Sequence, residues 1–234
     1  MNTTSSDRGR VLIVDDNQTV LDLLVDLLSA EGYRVSAATD GSDGFNLAVS
    51  FAPDVVLSDV VMPGLDGLEL CRRLKDDPRT TNIPILLMSG LRRSDENGIV
   101  GLTAGADDYL DLPFRNDEVL VKVARLVERH RIGKHYREIV EQAADIIYTR
   151  DMNGFLTSIN SAGARFFGRS ATELTGKHLS ELIGDIAAVS DIEETRSHIG
   201  NDALRSTYRL RDAKGEWRYL EGVITVETDR TGRQ

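Results

Sequence analysis

The fold is decided by the stretch VLIVDD at residues 11–16, in which four apolar residues lead directly into two aspartates. Two similar apolar runs follow it in the chain, VVL at 55–57 and ILLM at 85–88. Runs this short, rich in branched apolar residues, are typical of strands buried on both faces of a sheet. Weaker strand patterns occupy 34–37 and 109–110. The first half of the chain is therefore predicted to form a sheet of five strands.

Amphipathic stretches separate the predicted strands. Leu21, Leu24 and Leu28 recur at helical spacing, and Gly32 follows as a residue that ends helices. Similar helical patterns occur at 42–51, 65–75, 95–104 and 116–131. Alternating strands and helices imply a parallel sheet with helices on both faces. The predicted fold class is α/β, a doubly wound flavodoxin-like sheet in the strand order 2-1-3-4-5.

The composition limits the classes of protein that fit. The chain has 234 residues, 41% of them hydrophobic, and a net charge of −10. It has room for two globular domains, and its apolar runs are too short to span a membrane. Lysines and arginines are not clustered as nucleic-acid binding requires. The polar residues 1–9 predict a disordered tail without the apolar core of a secretory signal. One cysteine, Cys71, suits a reducing compartment, so we expect a cytoplasmic protein.

Three acidic residues follow two of the predicted strands. Asp15 and Asp16 come directly after the first strand, and Asp59 comes directly after the third. In parallel sheets of this class, ligands bind beyond the carboxyl ends of the strands where the strand order reverses, which is between these two strands. Carboxylates held so close together repel one another unless a cation neutralises them, and Mg²⁺ prefers such oxygen ligands. The less specific interpretation is that these acids only cap loops and helices.

Several motifs occur in order across residues 10–131. They are VDD at 14–16, SDVVMPGLDG at 58–67, SG at 89–90 and GADDY at 105–109. In this order and at these separations, they resemble the receiver domain of response regulators in two-component signalling. The resemblance implies that Asp59 accepts a phosphoryl group from a sensor histidine kinase or a phosphotransfer protein.

The resemblance also assigns roles to the residues around Asp59. Asp16 and Asp59 would bind Mg²⁺ directly and Asp15 through water, and the backbone carbonyl of Val61 would complete the protein ligands. Two further residues would read the phosphoryl group. Ser89 would donate a hydrogen bond to it, and Tyr109 would turn inward as Ser89 moves.

One residue departs from the receiver pattern. Receivers carry a lysine where this chain has Leu112, and its ammonium pairs with the acceptor aspartate and later with the phosphoryl group. Pro113 is retained, so the loop is expected to keep its shape. Three interpretations remain open: slow phosphorylation, phosphorylation assisted by Arg92 or Arg93, and signalling without phosphate.

The rest of the chain has a different pattern. Residues 134–234 resemble a PAS sensor domain through the stretches IYTRDMNGF at 147–155, INSA at 159–162, ELTG at 173–176 and DAKGEWR at 212–218. We expect an α+β domain with an antiparallel sheet. Its strands are predicted at 146–149, 155–159, 205–211 and 216–228. The predicted division of the chain is a tail at 1–9, a receiver domain at 10–131, a helical connector at 132–144 and a PAS-like domain at 145–234.

Two questions about this second half stay open in the sequence. Residues 116–144 form either one continuous helix, suited to a short coiled coil, or two helices joined at Gly133. The chain also stops before the fifth strand of the PAS fold, so we expect either a piece of a longer protein, or that another chain or a disordered edge compensates for the missing strand. The output domain, kinase or other, would lie beyond residue 234, and the visible chain is not expected to be an enzyme.

A bound cofactor finds little support in the PAS-like half. Flavin photochemistry in the family needs a cysteine there, and Cys71 lies in the other half. His178 and His198 are candidate haem ligands only because they are histidines. The aromatic residues Phe166, Phe167 and Trp217 are expected in the hydrophobic core. We therefore expect no ligand, and instead a sensing or dimerisation role with a possible homodimer through the connector and the PAS domain.

Two functions of different classes remain. The first is a two-component module that accepts a phosphoryl group on Asp59 with Mg²⁺ and relays its state through the connector to the PAS domain. The second is a pseudo-receiver scaffold that binds a partner protein without phosphorylation. A metal-dependent phosphohydrolase is disfavoured, because residues 60–64 offer no general acid near Asp59.

Overall fold

The computed structural model describes residues 8–90, 104–183, 197–198 and 203–225. The chain divides into two compact units, with the boundary between His135 and Tyr136.

The first unit is built on a parallel sheet. Its strands are β1 Arg10–Val14, β2 Arg34–Ala38, β3 Val55–Asp59, β4 Ile85–Ser89 and β5 Asp108–Asp111. They lie in the order β2-β1-β3-β4-β5, and every neighbouring pair is parallel. The predicted doubly wound sheet and its strand order are confirmed.

Helices connect these strands. They are α1 Gln18–Ala30, α2 Gly41–Phe51, α3 Gly67–Asp76 and α4 Asn116–Gln142. The side chains of Asn17, Asp40 and Asp66 accept hydrogen bonds from the first N–H groups of α1, α2 and α3, so each of these helices begins where a polar cap can satisfy it. The helix predicted at 95–104 lies almost entirely outside the described residues.

Alternate residues of each strand pack on opposite faces of the sheet. Ile13 of β1 points into a core shared with α1 and α4, whereas its neighbour Leu12 points into a core shared with α2 and α3. Both are fully buried. Burial on both faces explains why these strands are continuous apolar runs, and it holds their carboxyl ends in fixed positions.

Helix α4 runs without a break from Asn116 to Gln142. Of the two alternatives left open by the sequence, the structure has the single helix, with Gly133 inside it. Val119, Val123 and Leu126 on its first half are fully buried against the sheet. One glycine in a helix interior costs only about 1 kcal/mol, so a helix of this length tolerates Gly133.

The second unit is an α+β structure with antiparallel strands, as predicted. Its elements are β6 Tyr148–Arg150, β7 Leu156–Ile159, α5 Ser161–Phe167, α6 Ala171–Leu174, α7 Leu179–Ile183, β8 Ser197–His198, β9 Ala203–Arg211 and β10 Trp217–Thr225. β6 pairs with β7, and the other three strands lie in the order β10-β9-β8. The sequence predicted four strands here. The fifth, β8, has only two residues, too few to leave a period-2 pattern.

No strand joins these two antiparallel sheets within the described part of the second unit. The expectation that a further central strand follows Gln234 therefore stays a prediction.

Candidate functional site

The acidic residues meet at the carboxyl edge of the parallel sheet. Asp15 directly follows β1, and Asp59 is the last residue of β3. Since Val14 and Ser58 are register partners in the β1–β3 pair, the next residues leave the sheet side by side. One carboxylate oxygen from each of Asp15, Asp16 and Asp59 lies within 4.8 Å of the others. Three hard oxygen donors at this separation fit a divalent cation such as Mg²⁺.

The three carboxylates differ in exposure. Asp15 is buried, Asp59 is half-buried and Asp16 is exposed. Burial, with a smaller contribution from the negative charge of Asp59, raises the pKa of Asp15 to about 6. The hydrogen bond from the N–H of Asn17 acts in the opposite direction and lowers this pKa. Burial also raises the pKa of Asp59, although hydrogen bonds from the backbone N–H groups of Val60 and Val61 lower it in part. The fold therefore holds negative charge where ionisation is unfavourable, as expected of a pocket that receives a cation.

The backbone around Asp59 is closely packed. The fully buried Ser58 donates from its Oγ to the carbonyl oxygen of Asp59 over 3.0 Å. A Cβ atom on Gly67, the first residue of α3, would overlap that same carbonyl oxygen. The N–H of Gly67 donates to the carbonyl of Val60 over 3.1 Å. Glycine at this position lets α3 begin against the end of β3 and fixes the backbone that carries Asp59.

Leu112 lies at the same edge of the sheet, next to β5. Its backbone N–H donates to the carbonyl oxygen of Ser89 over 2.8 Å, and the Leu112–Pro113 peptide bond is cis. Position 112, for which the receiver pattern implies a lysine, therefore lies at the edge of the sheet that carries the acidic residues, but its side chain is apolar. In the described part of the chain, no lysine or arginine forms an ion pair with any of the three clustered carboxylates. Arg92 and Arg93, the predicted substitutes, lie outside the described residues.

The remaining predicted residues of the site occupy positions near the same edge. Ser89 is the last residue of β4, one strand away from Asp59. Tyr109 of β5 is 9% exposed, and its hydroxyl is buried without a hydrogen-bond partner among the described residues. Val61 lies two residues after Asp59, and its side chain is 67% exposed. The structure places these residues, and their roles stay predictions.

The two aspartates of the GADDY motif have structural contacts instead. Asp107 accepts a hydrogen bond from Lys75 of α3 over 2.8 Å and from the N–H of Ile85 over 3.1 Å. Asp108 accepts from Lys122 of α4 over 3.0 Å. These acids join β5 to two helices and take no part in the acidic cluster, a distinction that the sequence did not make.

Comparison with known proteins agrees with this geometry. Residues 11–124 match the family model of the response regulator receiver domain, and residues 134–234 match the PAS fold. The chain is a receiver domain followed by a PAS domain. The resemblance inferred from the sequence is confirmed. Domains of these two families are generally not catalytic.

Several curated proteins are similar to this chain. The transcriptional regulator RpaA of Synechocystis is 41% identical over 120 residues, which are 51% of this chain and 49% of RpaA. The response regulator PleD of Caulobacter vibrioides is 42% identical over 243 residues, covering 96% of this chain and 52% of PleD. The chain thus spans about half the length of these relatives.

A solved structure of NtrX from Brucella abortus in complex with ATP also resembles the chain. It is 24% identical with a TM-score of 0.52, and the match covers 62% of this chain and 32% of NtrX. At this identity the likeness concerns the fold alone.

His178, a candidate haem ligand by residue type alone, is held by hydrogen bonds within the PAS domain. The Nε2 of His178 donates to the carbonyl oxygen of Asn153 over 2.9 Å, and its Nδ1 lies 2.6 Å from the Oγ of Ser180. Both ring nitrogens are thus engaged within the protein. Phe166 and Phe167 pack edge to face with ring centroids 5.2 Å apart. The side chains of His198 and Trp217 lie outside the described atoms.

Asn160 is a structural residue of the PAS domain that sequence reasoning passed over. It is 1% exposed, and its side-chain oxygen accepts from the N–H groups of Ile147 and Gly163, each over 3.1 Å. Its amide nitrogen donates to the carbonyls of Val140 over 3.0 Å and Asp145 over 2.8 Å. One side chain thus joins the end of α4, β6 and the start of α5. Its place between a strand and a helix was a cap signal that sequence reasoning alone could have used.

The described residues contain no helix that is both long enough and apolar enough to cross a membrane.

Proposed function

We propose that this chain is a two-component signalling module whose receiver domain accepts a phosphoryl group on Asp59. The observation that carries the proposal is the convergence of three carboxylates within 4.8 Å at the end of β1 and β3, with Asp59 half-buried and open to a donor. This edge is where doubly wound sheets bind their ligands.

The proposed reaction is a transfer between two residues. An oxygen of the Asp59 carboxylate forms a bond to phosphorus while the bond between phosphorus and the donor's histidine nitrogen breaks, and the imidazole leaves with the electron pair. Such transfers depend on positioning and charge neutralisation more than on covalent help from the protein. Ser58 and Gly67 hold the Asp59 backbone in place for an in-line approach.

The acidic cluster would hold the cation. Asp16 and Asp59 would be direct ligands and Asp15 a ligand through water, with the carbonyl of Val61 beside them. When bound, Mg²⁺ supplies the positive charge that offsets the phosphoryl oxygens. Ser89, at the end of the neighbouring strand, would donate its hydroxyl to a phosphoryl oxygen.

The proposed readout is a shift between two arrangements of the β4–β5 edge. Tyr109 is buried, and its hydroxyl has no hydrogen-bond partner among the described residues, a state with a free-energy cost. Movement of Ser89 toward a phosphoryl group would change the balance between the inward and outward positions of Tyr109. A phosphoryl group acts on such an equilibrium by binding one state better.

The proposed partners are a sensor histidine kinase or phosphotransfer protein, and a second copy of the chain. Helix α4 carries exposed apolar side chains at Ile132, Tyr136 and Ile139, which are 64%, 68% and 55% exposed. Their spacing of four and three residues is that of a coiled-coil seam, which supports self-association through this helix and the PAS domain.

The alternative function is a pseudo-receiver that binds a partner protein without phosphorylation. Leu112 is the specific observation in its favour, because an apolar side chain replaces the ammonium that assists transfer in receivers. The retained cluster of Asp15, Asp16 and Asp59 favours the phosphoacceptor instead, since a scaffold has no need of three adjacent carboxylates.

Beryllofluoride, which mimics an acyl phosphate on aspartate, tests the proposal. Full-length protein with Mg²⁺ and beryllofluoride is expected to show NMR shifts at Ser89 and Tyr109, and Asp59→Asn is expected to show none. Wild-type spectra that do not respond, or that respond equally in Asp59→Asn, would favour the scaffold.

A further inference from the structure

Compared with a lysine at the same position, Leu112 removes one positive charge from beside the acidic pocket. The cluster brings three carboxylates within 4.8 Å, and none of them is paired with a lysine or arginine in the described ranges. Within the described residues, no cationic side chain offsets the charge of these three carboxylates.

The sheet geometry shows why position 112 matters for this balance. Asp59 ends β3 and Ser89 ends β4, and Leu112 is fixed to Ser89 by its backbone hydrogen bond. Position 112 is therefore about two strand spacings from Asp59, or about 10 Å between backbones. A lysine side chain is long enough to bring its charge across that gap, and leucine is neither long enough nor charged.

A lysine at this position would also act on a bound cation. Its ammonium would compete with the metal for Asp59 and would repel a double positive charge held by the same carboxylates. Coulomb's law, for single and double charges about 6 Å apart in water, gives a factor of about ten in affinity.

We propose that Leu112 makes this pocket a stronger divalent-cation site than the same pocket would be with a lysine at position 112. The occupancy of the pocket then follows the free Mg²⁺ concentration before any phosphoryl group arrives. The inference rests on the metal site of the proposed function and adds the residue that sets its affinity.

Isothermal titration of the full chain with MgCl₂ tests the proposal. Wild type is expected to bind about tenfold more tightly than Leu112→Lys, and Leu112→Met, which is long but uncharged, is expected to match wild type. Asp59→Asn is the control that removes a ligand. Should Leu112→Lys fail to fold by circular dichroism, Leu112→Arg carries the same charge and takes its place.

Each result decides the matter. Equal affinities of wild type and the charged variant would overturn the proposal, as would a loss in Leu112→Met as large as that in Leu112→Lys, or a wild type that binds no Mg²⁺. Tight binding by a wild type that never becomes phosphorylated removes the proposed function and leaves this inference standing. Phosphorylation with equal affinities removes the inference alone.

Discussion

The backbone N–H of Leu112 donates a hydrogen bond of 2.8 Å to the carbonyl oxygen of Ser89. This bond fixes the residue after β5 to the end of β4, at the edge where Asp59 and its two acidic neighbours lie. An apolar side chain therefore lies at this edge, at the position for which the receiver pattern implies a lysine. A positive charge can be restored at position 112 by one substitution, and the negative charges of the acidic residues can be removed one residue at a time.

Leu112→Lys is expected to accelerate phosphorylation of Asp59. The added ammonium would stabilise the negative charge that develops on the phosphoryl oxygens, and one such group changes rates by about 10²-fold in other enzymes. We expect a gain of about tenfold or more at saturating Mg²⁺, measured with acetyl phosphate as donor. Leu112→Met is the uncharged control and should keep the wild-type rate. An unchanged rate in the lysine variant would show that charge at this position is not what limits transfer.

Asp15→Asn is expected to stabilise the metal-free receiver at neutral pH. The folded-state pKa of Asp15 is about 6 and its ordinary value is 3.8, so ionisation destabilises the folded state. The penalty is small at pH 4, grows through pH 6 and is complete above it, where it is about 2–3 kcal/mol.

Hydrogen exchange of the β1 and β3 amides in EDTA measures this effect. The gain in Asp15→Asn should be large at pH 7.5 and below about 1 kcal/mol at pH 4, and MgCl₂ should stabilise wild type more than the variant. A variant no more stable than wild type at pH 7.5 would contradict the assigned burial of an ionised Asp15.

Gly67→Ala is expected to destabilise the receiver and to reduce phosphorylation. The new Cβ would overlap the carbonyl oxygen of Asp59, so β3 and α3 would have to separate. Overpacking of this kind costs about 1–3 kcal/mol. Gly90→Ala is a matched control for stability, because a Cβ there meets nothing within 4 Å among the described residues. Protection of the β3 and α3 amides against hydrogen exchange should fall only for Gly67→Ala, together with its rate of phosphorylation, and an equal loss of protection in both variants would argue against the close packing.

Asn160→Ala is expected to destabilise the PAS domain by about 3 kcal/mol or more. It removes four hydrogen bonds from a residue that is 1% exposed and leaves the carbonyls of Val140 and Asp145 without that donor. Asn153→Ala, at an exposed asparagine, should change stability by less than about 0.5 kcal/mol. Hydrogen exchange at β6 and β7 provides the measurement, and similar protection in both variants would refute the anchoring role.

The parallel sheet and the place of the acidic cluster could be predicted because both follow from local pattern. The apolar runs at β1 and β3 mark strands buried on two faces, and Asp15 and Asp59 directly follow them, so topology alone brings them together.

Other features could not be predicted because they depend on contacts distant in sequence. The helical pattern on both sides of Gly133 left the continuity of α4 undecided, and the need for glycine at 67 follows from how α3 packs on Asp59. β8 has two residues and shows no periodicity. The separate pairing of Asp107 with Lys75 appears only when α3 and β5 are side by side.

The most direct test of the central claim is phosphorylation of Asp59 in the unaltered chain. The full-length protein, saturated with Mg²⁺, is incubated with acetyl phosphate and analysed by intact mass spectrometry. We predict that wild type gains one phosphoryl group and that Asp59→Asn gains none. A wild type that stays unmodified while Leu112→Lys gains the group would contradict the claim and identify a receiver that works without phosphate.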